Sequence, residues 1–431
     1  MNMNILLISV IACQKIIENK EPLKKVMASI YAQYNFSNTQ KSRINKLLKG
    51  VLRKYVTLKY EVNSAFENPK PREKKLYLFI CALFSLRYQS GEVELETVKN
   101  EFSSVVDEFK MNVEIQETFD VLVDLSKKRF IVPEEEKNNH IRYNSLMFST
   151  PEWVIRMWLK QFGQETTLKL LISNQKPVNF YVKRNELKVS AKSFEKNGDF
   201  LPVEGFENAY NYIGKSGFFK TNEARVGNCF KEDLSYQEIL NQLEIVGGCN
   251  ALLINGDRSG LAIDLAVRLR EVNGDLTMNI EDDITYRKAE YRFEKLGIKN
   301  KQTYLADIDL LRTYIGYESY DLVLVLPKSS RLGLVKKNAE ILASISKQDY
   351  KKLKYYQLAC LEEASRYINS EGTFVYLVET INKREGEDIV ELFMEKHEGF
   401  ELVKSRQIMP FEKNNNGVYY AVLRRNYERK D

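Results

Sequence analysis

Cysteine and histidine are the side chains best able to do covalent or metal chemistry near neutral pH, and this chain places few of either where they could act together. Its five cysteines (Cys13, Cys81, Cys229, Cys249, Cys360) are odd in number and scattered, with no CxxC pair. That argues against a disulfide framework or a thiolate zinc site and fits a reducing, cytoplasmic setting. The two histidines, His140 and His397, stand far apart in polar surroundings, so neither a His-dependent hydrolase nor a metal centre is expected. What does cluster is positive charge. Residues 1–60 hold eleven Lys and Arg against two Glu, a surplus of nine on a chain whose formal charge is only +6. Lys41, Arg43, Lys46, Lys49, Arg53 and Lys54 form the densest run, and the chemistry open to such a run is contact with a polyanion.

The element that must carry those cations is a helix. Ile44, Leu47, Leu48, Val51, Leu52 and Tyr55 recur at helical spacing, and the cations lie mostly off that apolar stripe. The first 130 or so residues read as a helical bundle. Leu76–Tyr88 is apolar nearly all round and suits its centre, and a last helix spans Val113–Phe130. Ile5–Cys13 is the longest apolar run, far short of the ~20 residues a membrane span requires. Without a basic segment before it or a small-residue cleavage site after it, it reads as a buried first helix rather than a signal peptide. Pro133–Asn139 reads as a charged linker.

Beyond the linker, Thr150-Pro151-Glu152-Trp153 looks like a helix start. Trp153 and Trp158, at helical spacing beside Ile155 and Phe162, are expected in the core rather than stacked on bases. A strand at Asn179–Val182 and a helix at Ala191–Lys196 make a small α+β piece. From residue 216 the rhythm alternates. Strands are expected at Ala251–Ile254, Thr277–Ile280, Thr303–Leu305, Tyr320–Leu326 and Thr373–Val378. Helices are expected at Ser259–Val272, Ile284–Lys295, within Asn338–Asn369, and at Gly386–Lys396. That pattern predicts a mostly parallel sheet covered on both faces. Glu401–Gln407 and Val418–Arg424 close it as an antiparallel edge hairpin. A chain of 431 residues is expected to fold as more than one domain. The expected division is a helical domain over 1–135, a connector over 146–215 and a Rossmann-like class I methyltransferase-type α/β domain over 216–431.

Several stretches resemble one family. Tyr320–Val325 followed by Ser329–Glu340 is similar to its "FDxILLDAPCSGLGVIRRNPE" segment. Glu371–Tyr376 is similar to its "GGTLVYxTCS" strand, and Gly417–Leu423 to its closing "DGFFxAxL" strand. Lys46–Tyr60 resembles its NusB-like RNA-binding domain, Thr150–Trp153 its "HPxWL" start and Asn174–Asn185 its "NxxPPxxLRVN" stretch. The chain is thereby identified as a member of the bacterial 16S rRNA cytosine-5 methyltransferases of the Sun (RsmB) type. The resemblance runs over nearly the whole length.

It implies a cysteine thiolate that adds to C6 of cytosine, a second cysteine that assists release, and S-adenosylmethionine as methyl donor. At those two positions stand Glu379 and Ser329. The Asp and Pro of "DAPC" fall on Leu326 and Lys328. In the glycine-rich loop Ile254–Ile263 only Gly260 matches, and the family's Lys falls on Ala262. The ribose carboxylate falls on Ile280, with Glu281 one residue on, and Asp307 matches the acidic residue facing adenine. "VQDAS" corresponds to Thr221–Arg225. These departures imply weak cofactor binding at Gly260, Glu281 and Asp307, and no retained catalytic residue. Structured RNA, above all ribosomal RNA, is the implied partner, with no membrane, touched by the helical cations and by a lip of Lys328, Lys336 and Lys337. The expected function is therefore RNA binding without cysteine-dependent methyl transfer. The alternatives are an active methyltransferase with a rearranged site and a NusB-like regulator that binds protein.

Overall fold

The stripe Ile44, Leu47, Leu48, Val51 and Leu52 is buried in the computed structural model, which describes residues 4–67, 70–256 and 259–426. Ser37 starts that helix with a capping box: it accepts from the Gln40 N–H while the Gln40 side chain accepts from the Ser37 N–H. Contacts divide the chain into two compact units, Met1–Gln175 with Lys337–Lys347, and Lys176–Lys336 with Gln348–Asp431.

The first unit is helical. It begins with α1 (Ile5–Ile17), α2 (Leu23–Gln33), α3 (Asn38–Arg53), α4 (Tyr55–Ala65) and α5 (Glu73–Tyr88). It continues with α6 (Leu95–Glu108), α7 (Ile115–Lys127), α8 (Glu134–Lys137), α9 (His140–Phe148) and α10 (Glu152–Gln175). α5 is buried along eleven consecutive residues, Leu76–Leu86, and forms the centre of the bundle. Gly50 lets α3 lie directly on it, since a Cβ there would sit 1.9 Å from the Phe84 ring. Arg87 at the end of α5 chelates buried Glu61 of α4 at 2.7 and 2.9 Å and also donates to the Leu125 carbonyl of α7. A buried ion pair is tolerable only with such extra hydrogen bonds. The expected linker at 133–139 contains the single turn α8, and the unit extends past it through α9 and α10.

The second unit holds two sheets. The smaller is built from β1 (Tyr181–Arg184), α11 (Ala191–Phe194), β2 (Phe200–Pro202), β3 (Ala209–Tyr212), α12 (Asn222–Val226) and β4 (Cys229–Lys231), in antiparallel order β2-β3-β1-β4. The larger sheet follows α13 (Leu234–Leu240). Its elements are β5 (Asn250–Ile254), α14 (Ser259–Glu271), β6 (Asp275–Ile280), α15 (Asp283–Leu296), β7 (Lys301–Leu305), α16 (Ile308–Leu311) and β8 (Tyr320–Val325). After α17 (Glu340–Ser344) and α18 (Lys347–Ala364) it ends with β9 (Ile368–Val378), α19 (Glu387–Met394), β10 (Phe400–Ile408) and β11 (Val418–Arg425). The order β10-β11-β9-β8-β5-β6-β7 makes the inner strands parallel and the terminal hairpin an antiparallel edge.

Alternate residues of the central strands enter different cores. Ala251, Leu253, Leu322 and Leu324 face one, and Leu252, Ile254, Val323 and Val325 the other. Both faces are covered, as the unbroken apolar runs require. α17 belongs to the first unit, where Ala339 joins the bundle core and the helix packs on α1 and α3.

Within the second unit the smaller and larger sheets are joined by buried polar groups. β1 is fastened to the larger sheet's layers by buried groups. Lys183 pairs with Asp264 of α14, and Asn185 donates to the carbonyls of Gly227 and Leu296, each at 2.9 Å. Burial raises the Asp264 carboxyl, but Lys183 and Arg268 outweigh that and hold it below its ordinary value. Neighbouring Glu232 is pushed well above the carboxylate range, by burial first and then by the Asp264 charge.

A raised acid pKa means the folded state binds the proton more tightly, so Glu232 costs stability above its unfolded pKa of ~4.3 and nothing below it. Glu232→Gln should therefore raise the melting temperature at pH 7 to 8, by about 2–4 °C per kcal/mol relieved. Below about pH 4 the gain should vanish, which thermal scans across that range would test.

Candidate functional site

In a sheet wound in two directions from a central strand, the carboxyl ends of the strands on either side of the reversal open a crevice. Here those ends belong to β5, β6, β8 and β9. The loop after β8 carries Ser329 and the end of β9 carries Glu379. The Ser329 hydroxyl donates to the Glu379 carbonyl at 3.4 Å and accepts from the Arg331 N–H at 3.2 Å. The two positions of interest thus stand side by side.

What holds them there is a buried carboxylate for which sequence reading had no signal. Glu385, 1% exposed, accepts from the Ser330 N–H (2.8 Å), Gln357 (3.0 Å), Thr380 (2.9 Å) and Asn382 (3.0 Å). These bonds knit the loop after β8, the end of β9 and α18 into one frame. The loop then passes Gly333 against Gly417, where a Cβ on Gly333 would lie 1.7 Å from the Gly417 oxygen. The Gly417 N–H donates to the Gly333 carbonyl at 2.8 Å.

The chemistry available to this pair is limited. Ser329's partners here are backbone groups, neither of which can take its proton. Glu379 is buried and accepts the Tyr236 hydroxyl. All five cysteines are buried. Burial pushes the Cys360 thiol, the one beside Lys328, up to about 11, and Cys249 and Cys229 to about 11 and 12. At neutral pH a thiol near 11 is thiolate only to about one part in ten thousand.

The other end of the crevice has the makings of a nucleoside site. Asn255 follows β5 with φ +59°, and its N–H donates to the Asn279 side chain at 2.8 Å. Asn279 in turn donates to the Ala306 carbonyl at 2.9 Å, aligning the ends of β5, β6 and β7. The side chain of Asn255 and the hydroxyl of Tyr356 are buried beside one another, with Cys360 adjoining the hydroxyl.

Ile280 points into the core, whereas the Glu281 carboxylate meets Lys328 at 2.5 Å. The Lys328 ammonium also lies over the Tyr356 ring at 5.6 Å. Its pKa is raised, first by the hydrogen bond to Glu281, with Asp307 adding to it. Asp307 stands at the N-cap of α16, facing the same end of the crevice. Glu281 and Asp307, at which the resemblance implies ribose and adenine contacts, thus stand near Lys328, and Glu281 is paired with it. Gly260 has a packing reason of its own: a Cβ there would lie 2.8 Å from the Lys231 carbonyl. The expected loop residues Asp257 and Arg258 lie outside the described residues.

Residues 273–425 match the family model described as 16S rRNA methyltransferase RsmB/F. Over those residues the chain is similar to this family. A probable ribosomal RNA small subunit methyltransferase B from Bacillus subtilis is 17% identical over 90% of this chain and 87% of its own length. Its counterpart from Coxiella burnetii is 21% identical over 96% of this chain and 99% of its own. The crystal structure of PH0851 superposes at a TM-score of 0.78 with 16% identity, covering 98% of this chain and 99% of that one. NSun6 from Pyrococcus horikoshii, solved with SFG, gives 0.58 at 14% identity over 64% of this chain and 99% of its own. The two structural likenesses establish a shared fold.

The cations expected to meet RNA divide into two groups. Lys46, Lys49, Arg53 and Lys54 are exposed on α3 and its C-cap; Lys46 pairs with Glu92, and Lys54 lies 5.4 Å from the Tyr88 ring centre. Lys41 is half-buried, 5.6 Å from the Tyr31 ring centre. Arg43 turns away from the group: it chelates Glu101 of α6 at 2.7 and 2.8 Å, so it holds the bundle together.

The expected lip also separates. Lys328 is committed to Glu281. Lys336, 4% exposed, bonds Asn414, so the structure removes it from the surface cations. Lys337 is half-buried in the first unit. Trp158 is fully buried, whereas Trp153 is only half-buried.

Lys328's side chain is 65% exposed, so its pair with Glu281 contributes no more than ~1 kcal/mol. Lys328→Ala should tighten binding of S-adenosylhomocysteine by about two- to five-fold in calorimetric titration. A second change, Glu281→Gln, should abolish that gain. An unchanged affinity in Lys328→Ala would show that Glu281 is not a cofactor ligand.

Proposed function

We propose that this chain is an RNA-binding member of the RsmB/F family that does not carry out cysteine-dependent methyl transfer and works on or near ribosomal RNA. The observation that carries the proposal is the contact between Ser329 and Glu379. These residues occupy the two positions at which the family resemblance calls for cysteine, and the serine hydroxyl's hydrogen bonds are to backbone groups. The raised thiols of Cys229, Cys249 and Cys360 support it from the other side, because none is available as a substitute nucleophile.

Cofactor binding on this reading is weak and without turnover, since Lys328 must yield Glu281. The RNA half rests on the exposed cations of α3 in a bundle read as a NusB-like domain, and on relatives that carry ribosomal RNA methyltransferase names. Phosphate contacts by Lys and Arg release counterions, so affinity must fall steeply with salt.

Filter binding of a 16S rRNA fragment at 50 to 200 mM salt should give a steep log–log slope. The double variant Lys49→Ala, Arg53→Ala should reduce that slope by about one for each phosphate that is no longer neutralised. The methyl-transfer half is tested in cells, by mass-spectrometric mapping of 5-methylcytosine in rRNA with and without the protein. Unchanged methylation is expected. A single missing site, restored by wild type but not by Ser329→Ala, would overturn it.

A further inference from the structure

The helical unit has a cleft of about 630 Å³ beside α4, closed on its other sides by the start of α10 and by the chain after α17. Its size is that of a small-molecule or nucleotide site. Five cations line it (Lys59, Lys70, Arg142, Arg156 and Lys347) against two carboxylates, Glu67 and Glu152. Glu152 is already shared, accepting from Arg142 and Arg156 at 3.1 Å each. The cleft is therefore electropositive, and Arg53 and Lys54, at the α3–α4 junction, extend the same charge along the chain towards Lys59.

Charge alone would suit any anion; the walls narrow the choice. Trp153, half-buried, offers an aromatic surface in the cleft. The Arg142 guanidinium lies 5.0 Å from the Tyr60 ring centre, a stacked wall fixed by its ion pairs to Glu136 and Glu152. The Asn63 side-chain oxygen, also lining the cleft, is buried with no hydrogen-bond partner among the described residues. An unsatisfied acceptor in a cleft also lined by an aromatic ring and a set of cations matches the exocyclic amino group of a base whose face is stacked and whose phosphate is paired.

We propose that this cleft takes a nucleotide of single-stranded RNA, with the base against Trp153, its amino edge towards Asn63 and its phosphate on Lys59 and Lys347. Duplex RNA cannot enter, because its bases are stacked on one another. The inference rests on the RNA-binding reading for the class of ligand and goes beyond it in naming a second contact surface and a strand preference.

The test uses the full chain and its intrinsic fluorescence, taking the difference between wild type and Trp153→Phe as the Trp153 signal. The probes are a mixed-sequence 12-nucleotide single strand, the same strand in a duplex, cytidine monophosphate and inorganic tripolyphosphate. The single strand should quench Trp153, while the duplex and tripolyphosphate leave it unchanged. Trp153→Ala should bind the strand roughly ten-fold more weakly, and Trp153→Phe should recover most of that affinity.

If the strand binds in a salt-dependent way yet leaves Trp153 fluorescence and Trp153→Ala affinity unchanged, the cleft assignment fails and the RNA reading stands. If neither the strand nor a 16S rRNA fragment binds, both fail. Quenching by tripolyphosphate equal to that by the strand would make the cleft a plain anion site, and cytidine monophosphate binding as tightly as the strand would make it a mononucleotide site; either overturns the proposal. Should Trp153→Ala lose its fold by circular dichroism, the wild-type quenching comparison decides alone.

Discussion

A buried carboxylate is tolerable only when hydrogen bonds replace its water, and Glu385 has four of them. Each comes from a different piece of chain: the loop after β8, the end of β9, the turn following it, and α18. The Tyr376 hydroxyl, donating to the Glu385 carbonyl at 2.7 Å, anchors the same residue from within β9. The juxtaposition of Ser329 and Glu379 follows from this frame and from the Gly333–Gly417 contact. Neither side chain at the two family positions supplies a bond to Glu385. The framework of the site and the identity of its nucleophile are physically separable.

The cofactor end obeys a different balance. Glu281 and Asp307 are both acidic and face one crevice, so a cation between them is favourable. Lys328 supplies it from the loop position next to Ser329. Because that lysine is mostly exposed, the pair is a weak lock rather than a plug, and a nucleoside with two ribose hydroxyls could still compete for Glu281. The contacts of Ser329 with Glu379 and those of Glu281 with Lys328 therefore involve different residues.

Most elements were legible in the sequence because their causes are local. Apolar spacing in Ile44–Tyr55 marks α3, and unbroken aliphatic runs at residues 251–254 and 320–326 mark the central strands. The late pair of runs around the Asn-Gly turn marks the β10–β11 hairpin. What escaped was set by partners distant in the chain. Nothing near Arg43 signals Glu101, 58 residues on, and nothing near Lys183 signals Asp264, 81 residues on. The boundary at Gln175 and the membership of α17 in the helical unit were hidden for the same reason. Ile280 is buried in the core, and Glu281 beside it reaches Lys328, a pairing 47 residues distant in the chain.

The cations of α3 raise a question of cost. Lys46, Lys49 and Arg53 lie three and four residues apart on one helix face, where like charges oppose helix formation by a few tenths of a kcal/mol per pair. Arg43, on the same helix, shows how the fold uses a cation it needs: it is clamped, half-buried, to a carboxylate. Lys46 has an exposed partner in Glu92, worth little. Lys49, Arg53 and Lys54 are exposed, and the bundle core is complete beneath them in Leu47, Leu48, Val51 and Leu52. This charge lies at the surface, with Lys54 resting 5.4 Å from the Tyr88 ring centre. A phosphate backbone is the partner for which a row of such charges at helical spacing is suited, because each neutralised phosphate releases a counterion and the gains add along the row.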